Sequence, residues 1–154
     1  MKILVVGGNF AGATAALELK RKLKDTVEVT LIDRNENFVY IPSLIWVPIK
    51  RREVSEIIIP RKQVLEKKGV KFVLDTAIKV EPDENKVYCE NGTYEYDHLI
   101  IATGPKVNFD IAPGIKENAC YIGTPPGAMH TREKLEEFKQ NPGAIVIGAT
   151  QNAG

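Results

Sequence analysis

A parallel β-sheet with helices on both faces and an inserted antiparallel β meander is the α/β architecture that this sequence predicts. Three observations carry it. Ile3-Leu4-Val5-Val6 is an uninterrupted apolar run, as in parallel strands buried on both faces. The run ends at Gly7-Gly8, and a helix-periodic segment and a second strand follow, the size of a βαβ unit of about 30 residues. From Ala77 the apolar period changes to two and turn residues recur, which marks antiparallel pairing.

The first helix is expected from about Phe10 to Lys24, with Ala11, Ala15 and Leu19 in one row and Ala16 and Leu23 widening the apolar face. Val27 to Ile32 is the second strand and runs into Asp33-Arg34. Residues 35 to 53 contain Pro42 and Pro48 and are expected to be irregular. The stretch from Phe38 to Val47 is nevertheless apolar and aromatic, as in a loop that lies against a ligand or another domain. A helix is expected from about Pro60 to Lys68, with Pro60 in its first turn and Gly69 as its stop. Val70 to Leu74 is a third strand.

The meander is placed at 77–96. Ile78–Val80 and Val87–Cys89 flank the turn Pro82-Asp83-Glu84-Asn85, and Asn91-Gly92 leads into Thr93–Tyr96. His98 to Ala102 returns as a buried strand, closed by Thr103-Gly104-Pro105. About twenty residues of Pro- and Gly-rich loop follow, then a helix from about Gly127 to Lys139 that ends at Asn141-Pro142-Gly143. Ala144 to Gly148 reads as one more apolar strand. That strand should be buried on both faces and no helix follows to cover it, so the chain reads as a truncated part of a larger protein.

Composition excludes several classes. Apolar residues make up 44% and charged residues 27%, as in a soluble globular protein. Lys and Arg total 21 against 20 Asp and Glu, and a net charge of +1 offers no bulk attraction to nucleic acid or anionic lipid. The basic runs Lys20-Arg21-Lys22 and Lys50-Arg51-Arg52 read as solvated faces. Cys89 and Cys120 are too few for a disulfide framework and match no zinc spacing. No signal peptide and no apolar run of about 18 residues is present. A cytoplasmic, soluble protein is the resulting expectation.

Chemistry concentrates in the first turn. Gly7-Gly8-Asn9-Phe10-Ala11-Gly12 stands where a G-x-G-x-x-G dinucleotide fingerprint belongs. Gly7 fits the tight turn and Gly12 the close helix–strand packing. Asn9 replaces the central glycine; Asn tolerates positive φ better than most residues, and its amide can donate to a phosphate oxygen. The following helix points free N–H groups and its positive dipole end at the same phosphate. Asp33 closes the second strand 21 residues after Gly12, where a carboxylate can accept two hydrogen bonds from a ribose diol. An acid there disfavours a 2′-phosphate and hence NADP. Ala102-Thr103-Gly104, at the end of a buried strand, lets the backbone pass close to a bound cofactor.

The order of Gly7–Gly12, Asp33, Ala102-Thr103-Gly104 and a fresh strand at Ala144 resembles the flavoproteins with two Rossmann-like dinucleotide-binding domains. Four segments are most similar to sulfide:quinone oxidoreductases and the related flavocytochrome c sulfide dehydrogenases. They are Gly8–Gly12, Phe38-Val39-Tyr40-Ile41-Pro42-Ser43, Ala102–Lys106, and Asn141 through Ala149. The resemblance implies FAD as cofactor, with Gly7, Gly8, Asn9, Phe10, Ala11 and Gly12 along its pyrophosphate and Asp33 and Arg34 at the adenosine ribose. It implies Ala77 near the adenine, Pro42 near the isoalloxazine, and Thr103 and Gly104 along the flavin side. It also implies a first, FAD-binding domain over 1–106, a linker over 107–126 and the start of a second dinucleotide-binding domain over 127–154.

Sulfide:quinone oxidoreductases use cysteines beside the flavin. The resemblance puts the principal one just past Gly154 and another, in some members, at the position of Gly123. Cys120 lies three residues away and is the one weak catalytic candidate; Cys89 reads as a strand residue. Residues 38 to 46 lack the C-x-x-x-x-C of glutathione-reductase relatives, and Thr150 stands where a nicotinamide fingerprint needs glycine. His98 and His130 lack a metal or catalytic constellation and read as structural or surface residues. The expectation is therefore an FAD-binding N-terminal fragment, itself inactive, of an enzyme that passes electrons from sulfide through FAD to quinone. The complete protein would sit peripherally on the cytoplasmic face of a membrane. The exposed apolar loop would lead the fragment to self-associate. The alternatives are an NADH-dependent flavoprotein reductase of the same superfamily and a non-catalytic dinucleotide-binding module.

Overall fold

The computed structural model describes residues 1–111 and 113–148. They divide into two compact units. One comprises Met1–Tyr40 and Ile58–Ile111; the other comprises Ile41–Ile57 and the described residues after Ile111.

The first unit is built on four parallel strands. Strand β1 (Lys2–Val6) is central, with β2 (Glu28–Asp33) on one side and the last strand of the unit, His98–Ile101, on the other. Lys71–Leu74 pairs with the outer side of β2. Between β1 and β2 runs helix α1 (Phe10–Leu23), one residue short of the expected end. Ala16 of α1 packs with Ile3, Val5, Val29, Leu31 and Phe72 in one buried cluster. Leu65, from α2 (Arg61–Glu66), belongs to the same cluster.

Helices on both faces were expected of the sheet, and this needs a correction for the first unit. Its two helices share one face. The other face is covered by the meander, whose Val87, Cys89 and Tyr96 pack with Leu4, Val6 and Ile32. The alternating apolar positions of the meander supply the flat cover that a helix would otherwise give. Its strands follow the predicted places closely: β6 is Ala77–Glu81, β7 Lys86–Cys89 and β8 Thr93–Glu95, paired antiparallel in that order. The strand at 71–74 is β5 and that at 98–101 is β9. Asp75, 4% exposed, joins β5 to the meander by accepting bonds from the Thr76 and Asn91 N–H groups and the Asn91 side-chain amide.

The stretch expected to be irregular holds a strand. Asn37–Val39 (β3) pairs antiparallel with Ile58–Pro60 (β4), Asn37 opposite Pro60 and Val39 opposite Ile58. Pairing across so wide a gap leaves no periodic trace in three residues. Pro60 therefore ends a strand and caps α2 rather than opening a longer helix, and α2 stops at Glu66.

In the second unit, Ile41–Trp46 forms a 3₁₀ stretch with Ser43 and Leu44 buried. Helix α4 (Pro125–Gln140) starts before the expected residue, because the Thr124 hydroxyl caps it by accepting from the Gly127 N–H. The loop expected before it contains a short helix, α3 (Ile115–Asn118). Arg132 of α4 holds the 41–57 segment: Nε donates to the Val47 carbonyl, Nη2 to the Arg52 carbonyl, and Nη1 bonds both Glu53 carboxylate oxygens. The strand expected at 144–148 does not form. Val146 and Ile147 are 94% and 93% exposed, since no strand among the described residues pairs with them. The turn from Ala149 to Gly154, with Thr150, lies outside the described residues.

Candidate functional site

The parallel register brings the ends of β1, β2 and β9 to one edge, where Val6 pairs with both Ile32 and Ile101. Chain ends at the carboxyl edge of such a sheet form the usual ligand crevice. Gly7 leaves β1 at φ +95°, a region that glycine alone enters freely. Its N–H donates to the Ile32 carbonyl at 2.8 Å, and the Ala102 N–H donates to the Val6 carbonyl at 2.7 Å. A Cβ on Gly7 would run into the Ala102 carbonyl. A Cβ on Gly12 would overlap the carbonyl oxygen of Gly7. The first and third glycines are thus required by backbone contact alone.

Asn9 departs from its expected geometry. It sits at φ −82°, in extended conformation, as the N-cap of α1. Position 9 therefore needs no positive φ, which is why a side chain is tolerated there. Asn9 makes no side-chain capping bond, so first-turn N–H groups of α1 are left for a ligand oxygen or water. Its Oδ1 is buried and unpaired.

Asp33 lies beside this turn, its side chain 11% exposed. Oδ2 accepts the Gly8 N–H at 2.5 Å, and Oδ1 accepts the Asn35 N–H at 2.7 Å. Oδ1 also lies 3.1 Å from Nη1 of Arg61, a residue 5% exposed. Arg61 was not singled out in the sequence. It stands 28 positions from Asp33, on a helix of six residues, and no spacing rule marks such a pair.

The other expected residues divide between the two units. Ala102-Thr103-Gly104 runs against Gly7, with Gly104 at φ +72° and open space around it. Ala77 opens β6, and Arg34 is exposed beside Asp33. All of these belong to the first unit, with Phe10 and Ala11 exposed at the start of α1. The Phe10 ring meets Phe38 edge-on at 5.0 Å and Tyr40 at 5.9 Å. Pro42 is exposed and belongs to the second unit.

The cysteines are unlike each other. Cys120 is exposed. Cys89 is buried, and burial, with a smaller push from the Asp75 carboxylate, raises its thiol to about 11. A thiol held neutral in this way is a packing residue, not a nucleophile. Both histidines are exposed, and no group of three potential metal ligands occurs among the described residues.

The residues present fit a bound dinucleotide. A glycine cradle admits no Cβ, a helix N-terminus opens on it, and two buried polar atoms, Asn9 Oδ1 and Arg61 Nε, lack protein partners. Comparison with known proteins agrees. The chain is 36% identical to the sulfide-quinone reductase of Aquifex aeolicus over 148 residues, 96% of this chain and 34% of that protein. The crystal structure of the sulfide:quinone oxidoreductase of the same bacterium superposes with a TM-score of 0.85 at 34% identity, over 92% of this chain and 33% of that one. A type II NADH:quinone oxidoreductase of Staphylococcus aureus is 29% identical over 88% of this chain and 34% of its own. The chain thus spans about a third of the length of these relatives. Residues 1–150 match the model of one family, and the chain belongs to that family, the pyridine nucleotide-disulphide oxidoreductases.

Proposed function

We propose that this chain is the FAD-binding part of a flavoprotein oxidoreductase that passes electrons from sulfide to a quinone. The observation that carries this reading is the likeness to the sulfide-quinone reductase of Aquifex aeolicus over nearly the whole chain, together with a dinucleotide cradle at Gly7–Gly12. Bound FAD supplies the redox centre. The chain's own residues bind and orient it. Gly7, Gly8, Asn9, Phe10, Ala11 and Gly12 line the pyrophosphate, and the α1 N-terminus offers it N–H groups and a favourable dipole. Asp33 takes the adenosine ribose with Arg34 beside it, and Ala77 lies near the adenine. Thr103 and Gly104 follow the flavin side, and Pro42 approaches the ring system. The segment from 127 onward begins a second dinucleotide-binding domain.

Sulfide, quinone and the substrate cysteines belong to the whole protein, of whose length this chain would be about a third. That protein docks peripherally on the cytoplasmic side of a membrane. Among the described residues no helix is long and apolar enough to cross one. The exposed Ile45, Ile49, Val146 and Ile147 support self-association of the chain by itself.

Similarity to type II NADH:quinone oxidoreductases keeps one rival in view, in which NADH is the donor. Reduction of a soluble quinone by the full-length protein separates the two. Turnover with sulfide and none with NADH supports the proposal. Turnover with NADH alone overturns it in favour of the rival. A colourless protein without either activity would mark a non-catalytic module.

A further inference from the structure

Along residues 41–49 exposed and buried positions alternate in pairs. Ser43, Leu44, Val47 and Pro48 are buried; Ile41, Pro42, Ile45, Trp46 and Ile49 are exposed. At three to four residues per turn, such pairs fall on opposite sides of a helical stretch, and Ile41–Trp46 is a 3₁₀ stretch. The inner side is held by Arg132, whose Nε donates to the Val47 carbonyl. The outer side is apolar where a solvated stretch would be polar. Ile45 is 51% exposed, Ile49 50% and Trp46 36%. Exposed apolar surface of this kind marks a place of contact.

The charges that follow select the partner. Lys50-Arg51-Arg52 comes directly after Ile49. Lys50 is paired with Glu136, and Arg132 takes Glu53, one of the two acids in 41–57. Arg51 and Arg52 have no ion pair among the described residues. The Arg51 guanidinium instead lies 5.4 Å from the centre of the Trp46 ring. A protein partner that covered this face would strip water from those two cations. A bilayer surface takes isoleucine and indole into its interfacial layer and leaves the cations at the headgroup phosphates. The net charge of +1 gives the chain no bulk attraction to lipid, so the attraction is local to this segment.

We propose that the outer side of residues 41–52 is the surface by which the protein rests on an anionic lipid bilayer. Ile45, Trp46 and Ile49 enter the interfacial layer, and Arg51 and Arg52 meet the headgroups. This names the place of the peripheral docking read above and rests on that reading, in which the acceptor is a quinone held in lipid.

Trp46 is the sole tryptophan of the chain, so its fluorescence reports on the patch itself. The chain is mixed with phosphatidylcholine vesicles, with and without phosphatidylglycerol, whose acyl chains carry bromine. A blue shift and bromine quenching of Trp46 are expected on the anionic vesicles. Ile45→Ser combined with Ile49→Ser is expected to weaken binding about tenfold through lost apolar burial. Arg51→Gln combined with Arg52→Gln is expected to weaken it about tenfold on anionic vesicles and by no more than about twofold on neutral ones. All four positions are exposed, so these variants keep the fold. In the full-length protein, the same vesicles are expected to slow trypsin cleavage after Lys50, Arg51 and Arg52.

Vesicle binding without quenching of Trp46 would put the docking elsewhere, overturning the proposal while peripheral docking stands. A full-length protein that trypsin leaves intact at 50–52 without vesicles covers this face with its own remainder. A blue shift that follows protein concentration and not lipid gives the face to a second copy. Either result overturns the proposal. Failure of the full-length protein to bind vesicles at all overturns peripheral docking with it.

Discussion

At Gly7 and Asn9 the same turn sets opposite tolerances for a side chain. Gly7 combines φ +95° with the Ala102 carbonyl where its Cβ would be. Gly7→Ala is expected to lower the unfolding free energy by about 3 kcal/mol, read by urea denaturation. Asn9 is extended, makes no cap and buries an unpaired oxygen. Asn9→Ala should therefore leave stability within about 0.5 kcal/mol while weakening FAD retention about tenfold in equilibrium dialysis. The tight turn at Gly7, the close approach at Gly12 and the place of Asp33 at the end of β2 could be read from spacing because each is a rule about local backbone. The nearness of Arg61 to Asp33 could not, since it comes from a tertiary approach of α2 to the end of β2. Nor could the φ of Asn9, which depends on where the helix begins rather than on residue type.

The meander and the 41–57 segment are the elements that show how local pattern and distant anchoring divide the work. Alternation and the Asn91-Gly92 turn located the meander strands to within a residue or two, because hairpin registers are set locally. Its buried Cys89 gives a pH signature. The thiol is raised from an ordinary 9.0 to about 11, so the folded state holds its proton more tightly than the unfolded state does. The associated stability is complete below about pH 9 and is lost as pH rises towards about 11. Urea midpoints across that window are expected to fall in the unsubstituted protein and to fall less in Cys89→Ala. The 41–57 segment is instead tied to α4 by Arg132, with the Lys50–Glu136 ion pair beside it. Arg132→Ala removes its bonds to Val47, Arg52 and Glu53, and trypsin is expected to cut at Lys50-Arg51-Arg52 several times faster. Nothing in the irregular sequence of 41–57 names its anchor, for which reason the segment read simply as loop.

Over the whole molecule, the parallel sheet and its inserted meander were predictable from apolar runs and a change of period. The distribution of cover over the sheet was not, since it depends on which face each connection crosses. The apolar run at 144–148 shows the same limit. Its composition calls for burial, yet a strand forms only beside a partner, and Val146 and Ile147 stand in solvent. The pairing of β3 with β4 has a consequence of another kind. Val39 faces Ile58, so the chain departs for residues 40–57 and comes back to the same spot. The excursion is a side loop hung from a two-stranded clasp. Closing a loop of roughly 18 residues costs little more entropy than closing one half as long. What hangs there can accordingly be lengthened, shortened or exchanged without changing the registers of the parallel sheet, which makes the clasp a natural splice point.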